Sequence, residues 1–133
     1  DLLPSQELSG LVYFIQTSSA TRVAPASYGY LAMFYAFRHE GVIRGFLQIR
    51  PNLVELLTEA VDFIYIEFGE GVPIHLELET RDGESGHSEL FARIRTTMTP
   101  EAAFEALTAF DHRWWLGAME RAEGELVFTV QLI

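Results

Sequence analysis

Residues 73–80, Pro-Ile-His-Leu-Glu-Leu-Glu-Thr, alternate between apolar and polar side chains without a break, and this run constrains the fold more tightly than any other. Successive side chains on a strand point to opposite faces. Ile74, Leu76 and Leu78 therefore share one face, and His75, Glu77 and Glu79 share the other. Residues 88–96 repeat the pattern with Leu90, Ala92 and Ile94 on the apolar side. Between the two runs, residues 81–87 (RDGESGH) carry two glycines and read as a turn. A hairpin with one apolar face has to bury that face, so the chain is expected to build a sheet covered on one side.

Helical periodicity supplies the cover. After Pro51, which suits a first helical turn because it lacks an amide donor, Leu53, Leu56, Leu57, Ala60, Val61, Ile64 and Phe68 recur at spacings of three and four. That is an amphipathic helix of about four turns. A competing reading ends it near Val61 and starts a strand at Asp62 (DFIYIEF); either way it stops by Gly69-Glu70-Gly71. Thr99-Pro100-Glu101 marks a second helix start: a capping hydroxyl, a proline, and an acid near the positive end of the helix dipole. This helix carries Ala103, Leu107, Phe110, Trp114 and Ala118 on one stripe and ends before Gly124. Residues 125–133 (ELVFTVQLI) read as a final strand, and residues 42–50 (VIRGFLQIR) as an earlier one.

Residues 28–38 (YGYLAMFYAFR) are ambiguous: alternation favours a strand, while the Ala, Leu and Met content and the following Gly41 favour a helix with a left-handed cap. The strand is preferred because Glu40-Gly41 would then form a hairpin with residues 42–50. Upstream, residues 1–9 form a leading segment, residues 11–17 (LVYFIQT) a strand and residues 18–27 (SSATRVAPAS) a loop.

The expected fold class is α+β: an antiparallel sheet with two helices on one face, in one domain spanning residues 1–133. From residue 42 onward the order strand, helix, strand, strand, helix, strand resembles the ferredoxin-like arrangement. Residues 1–41 would extend that sheet by two elements. The resemblance rests on element order alone, and this superfold hosts many unrelated functions.

Composition narrows the function classes. The chain has 133 residues, a size for one core. It is 49% hydrophobic and 21% charged, too apolar for a disordered chain. Its least polar stretch, residues 28–37, falls far short of the roughly 20 residues needed to cross a bilayer, so no membrane is expected. No signal-peptide pattern opens the chain, and there is no cysteine. A cytoplasmic location is the expectation. The net charge of −10 disfavours a phosphate backbone as a general partner.

No dinucleotide fingerprint, phosphate-binding glycine loop, nucleophile elbow or metal-ligand spacing of histidines is found, so no cofactor and no metal are expected. Two aromatic places stand out as candidate binding surfaces. The first is Phe110-Asp111-His112-Arg113-Trp114-Trp115-Leu116, where two indoles would give a stacking platform and Asp111, His112 and Arg113 polar anchors. The alternative for Trp114 and Trp115 is anchoring the helix to the sheet. This run, between a Thr-Pro-Glu helix start and a Leu-Val-Phe-Thr-Val strand, resembles a pattern in small bacterial proteins of unassigned function and transfers no site. The second is the open sheet face, where Phe46 and Phe91 would sit on adjacent strands beside Arg44, Arg93 and Arg95. Such a face can stack single-stranded nucleic acid. Arg93 and Arg95 would also oppose Glu77 and Glu79 across the hairpin, a charge ladder that needs no catalysis.

The leading expectation is a non-catalytic protein-interaction or regulatory module, with a protein partner or self-association. The alternatives are a small enzyme or ligand binder assembled from dispersed residues, and a single-stranded nucleic-acid binder. An enzyme would join His39 or His112 to a carboxylate; a ligand pocket would be lined by Tyr28, Tyr30, Phe34 and the tryptophans.

Overall fold

The computed structural model of the chain describes residues 28–80 and 87–133. The leading segment, the strand at 11–17, the loop at 18–27 and most of the turn at 81–87 lie outside the described residues. A helical turn at residues 28–31 leads into β1 (Ala36–Phe37), α1 (Glu40–Gln48), α2 (Pro51–Phe68), β2 (Ile74–Thr80), β3 (Ser88–Thr96), α3 (Pro100–Phe110) and β4 (Leu126–Leu132).

The hairpin forms in the register its alternation requires. Ile74 pairs with Ile94, Leu76 with Ala92 and Leu78 with Leu90. Ile74, Leu76, Leu90, Ala92 and Ile94 are all buried, joined by Leu126 and Phe128 of β4. Side chains of α2, including Leu53, Leu57 and Ile64, complete the same core. The helix reading of residues 51–68 holds to Phe68, so no strand starts at Asp62. Gly69 (φ 108°) and Gly71 (φ 84°) turn the chain out of it in a region of backbone space that favours glycine. At the start of α3, the Thr99 hydroxyl accepts from the Ala102 amide at 3.1 Å, as the Thr-Pro-Glu signal implies.

Residues 42–50 are not a strand: they belong to α1. Their apolar residues are Val42, Ile43, Phe46, Leu47 and Ile49, which is the pairwise spacing of a helix rather than strict alternation. Ile43 and Leu47, four apart, point into the core. Glu40 pairs with Arg44 at 2.8 Å along the helix surface. His39 adopts a left-handed backbone (φ 62°) and makes the corner between β1 and α1. Residues 28–38 are correspondingly not one strand; only Ala36 and Phe37 pair. Tyr35 holds this segment down, donating its buried hydroxyl to the Leu57 carbonyl at 2.6 Å. Burial pushes that phenol well above its ordinary pKa.

The sheet is mixed, not antiparallel. Its order is β1-β2-β3-β4, with β1 parallel to β2, β2 antiparallel to β3, and β3 parallel to β4. Parallel neighbours need a crossover of a dozen or more residues. α1 and α2 form one such connection and α3 with its continuation the other, so two β-α-β units are joined by the hairpin. From residue 42 the observed order is helix, helix, strand, strand, helix, strand. The ferredoxin-like arrangement expected from that point needed residues 42–50 in the sheet, and helix formation there removes it.

Candidate functional site

The two tryptophans form a seam within the molecule rather than an open platform. After α3 the backbone widens into one π-helical turn, Asp111–Trp115. There the Leu116 amide reaches back to the Asp111 carbonyl, five residues away. The wider turn lets two consecutive indoles face β4. Trp115 meets the Phe128 ring edge-on at 4.7 Å and is 7% exposed. Trp114 is half-buried; it stacks on Phe63 of α2 at 5.3 Å with the planes 7° apart and lies 5.7 Å from Phe110. The anchoring alternative is what forms.

The polar members of this run diverge. His112 and Arg113 are exposed, and Arg113 Nε pairs with Glu67 at 2.7 Å. Asp111 is half-buried; burial raises its carboxyl pKa, and His112 acts weakly in the opposite direction. The three do not converge on a common point of chemistry. His39 lies exposed at its corner. Tyr28 stacks on Phe37, and Phe34 contacts Tyr30 and Tyr65, while the tryptophans pack with Phe63, Phe110 and Phe128. Among the described residues no three His, Asp or Glu side chains gather as a metal site would require. No helix there is long and apolar enough to cross a membrane.

The pairing of Phe46 with Phe91 also fails, because Phe46 is on α1. The Arg50 guanidinium lies 3.8 Å over the Phe46 ring, and Arg50 Nε pairs with Glu125 at 3.1 Å. Phe91 is on the outer sheet face as expected, half-buried, with the Arg93 guanidinium 4.9 Å from its ring centre. Arg93 Nε contacts Glu77 at 3.1 Å and its terminal nitrogen contacts Glu79, so half of the expected charge ladder forms. Arg95 does not join it.

Two features lay beyond the sequence reading. The chain has nine arginines and no lysine. Arg38, Arg44, Arg50, Arg93, Arg113 and Arg121 each contact a glutamate. Arg95 alone among the described arginines has no such partner. The second feature is β4, which among the described residues pairs only with β3. The Glu125 carbonyl accepts from the Leu90 amide, and the Ile133 amide donates to the Thr96 carbonyl. Odd-numbered residues of β4 therefore face β3. Leu126, Phe128, Val130 and Leu132 turn their backbone groups to the other edge. The absence of charge over residues 126–132 was readable in the sequence; that this strand ends the sheet among the described residues was not. No family model, no curated protein and no solved structure matches the chain.

Proposed function

We propose that this chain is a non-catalytic interaction module that works by self-association, two copies joining antiparallel along β4. The supporting observation is that β4, a strand without charge, ends the sheet among the described residues. Exposed strand edges are ordinarily protected by lysine, proline, bulges or a short length. β4 runs for seven residues, LVFTVQL, with none of the first two and an unbroken register to β3. The net charge of −10 makes two copies repel over most of their surface. A seam without charge is where that repulsion is weakest. Antiparallel pairing about a two-fold axis matches the strand to itself and creates a closed, isologous contact. It continues the inner-face row of Leu126, Phe128 and Val130 across both copies and covers Leu132, which is 49% exposed.

Size-exclusion chromatography with light scattering tests this. The expected mass is twice that of the 15.1 kDa chain, falling to one copy on dilution. Leu132→Pro removes an outward amide without touching the β3 ladder, and Thr129→Glu sets like charges close together across the seam. Both variants should elute as monomers with little change in far-ultraviolet circular dichroism. A wild-type monomer at all concentrations would defeat the proposal, as would dimers in both variants.

A further inference from the structure

Arg95 is held in place, uncompensated, and beside a small concavity. Its Nε is buried without a hydrogen-bond partner, while no hydrogen bond occupies its terminal nitrogens, which are not buried. The guanidinium is thus fixed at its base and free at its fork. Its charge is felt nearby: burial lowers the pKa of His75 most, and Arg95 and then Arg38 lower it further. The other charged groups around His75 are Arg93, its partner across the hairpin, and Glu77 on its own strand. Arg93 and Arg38 both contact Glu77, so among the described arginines Arg95 is the one with no ion-pair contact.

The concavity lies where α2 ends and β2 begins, against the finish of β3. Its volume is about 240 Å³, and Arg95 lines it together with the apolar residues Phe68, Val72, Pro73 and Ile133. Pockets for drug-sized ligands span roughly 300–1,000 Å³, so a whole nucleotide is too large for this one. Glu70 also lines the wall and disfavours a multiply charged anion. A guanidinium fork matches the two oxygens of a carboxylate, and a side chain buried at its base has less freedom to lose on binding.

We propose that Arg95 anchors a free, small monocarboxylic acid whose apolar end lies against Phe68, Val72, Pro73 and Ile133. This does not depend on self-association, since each copy carries a whole site.

Backbone amide NMR tests it, with acetate, isobutyrate, benzoate and inorganic phosphate as probes. Isobutyrate and benzoate should give saturable shifts at residues 69–73 and 95–97, acetate weaker ones, and phosphate the weakest. Arg95→Gln should abolish saturation, and Arg95→Lys should weaken benzoate about tenfold through loss of the two-pronged contact. The His75 imidazole gives a second readout. Its pKa should rise when benzoate saturates the wild type, because the bound carboxylate offsets Arg95, and should be raised in Arg95→Gln without any acid. Circular dichroism checks that Arg95→Gln folds; if it does not, the wild-type series and the His75 shift decide alone. Phosphate binding more tightly than benzoate, a folded Arg95→Gln that binds equally well, or shifts that never saturate would each overturn the proposal.

Discussion

The two faces of the central hairpin come from the same strands and obey different rules. On the inner face Ile74, Leu76, Leu90, Ala92 and Ile94 are at most 1% exposed. On the outer face His75, Glu77, Phe91, Arg93 and Arg95 are half-buried. The inner face is held by area removed from water, which is non-directional and adds up over every methylene. The outer face is held by paired charges and one cation over a ring, which solvent screens. The difference shows where stability and specificity reside in this fold. Substitutions inside should cost stability in proportion to what they empty. Substitutions outside should cost little and instead change what the surface binds.

The largest expected effect is at the aromatic seam that closes the inner face. Trp115→Ala should destabilise the chain by roughly 3–5 kcal/mol, the range for deleting a large buried aromatic. Its edge contact with Phe128 is lost, and the space between α3 and β4 does not refill. Chemical denaturation followed by circular dichroism measures this. A loss below about 1 kcal/mol would place Trp115 outside the core and break the comparison.

An outer-face pair should behave differently. Phe91 and Arg93 are coupled by a guanidinium 4.9 Å from a ring centre, with Glu77 sharing the arginine. A double-mutant cycle with Phe91→Leu and Arg93→Gln should return a coupling of about 0.5–1 kcal/mol, shrinking with added salt as the charge is screened. A coupling as large as the tryptophan effect would mean that the outer face is itself a core, and the two faces would no longer be distinct.

How far the sequence foretells all this depends on the range of the physics involved. The hairpin was legible to within one residue, Pro73 falling just outside the strand, since strict period-two alternation admits one set of inward side chains. The Thr99-Pro100-Glu101 start was legible because capping is a contact across three residues. Residues 42–50 misled because β-branched and aromatic side chains suit a strand, while their pairwise spacing suits a helix; packing of Ile43 and Leu47 decided for the helix. The mixed sheet then followed from that one change. Within the run 110–116, a single π-helical turn determined which aromatics faced inward. That turn moves the facing by one residue and leaves no mark in composition. The isolation of Arg95 was least legible, because Arg93 has the same residue type on the same strand face. Only the placement of the glutamates in space separates them.

The smallest expected effect probes the rim of the seam, where Asp111 sits between the two regimes. Burial raises its carboxyl pKa, outweighing the opposing influence of His112. The folded chain therefore holds the Asp111 proton more tightly than the unfolded chain does. As pH falls through the raised pKa, the folded state takes up this proton first and is stabilised relative to the unfolded state. Above that pKa, neutral pH included, the ionised carboxylate weighs against folding. Asp111→Asn removes the charge and nearly keeps the shape. The variant should melt slightly higher than the wild type at neutral pH, with the difference shrinking as pH falls through the raised pKa. Thermal melts across that range measure the sign directly. A variant that melts lower at neutral pH would show Asp111 to be held by a favourable contact. The rim of the seam would then belong with the paired charges of the outer face, and the boundary between the two regimes would lie one helical turn deeper.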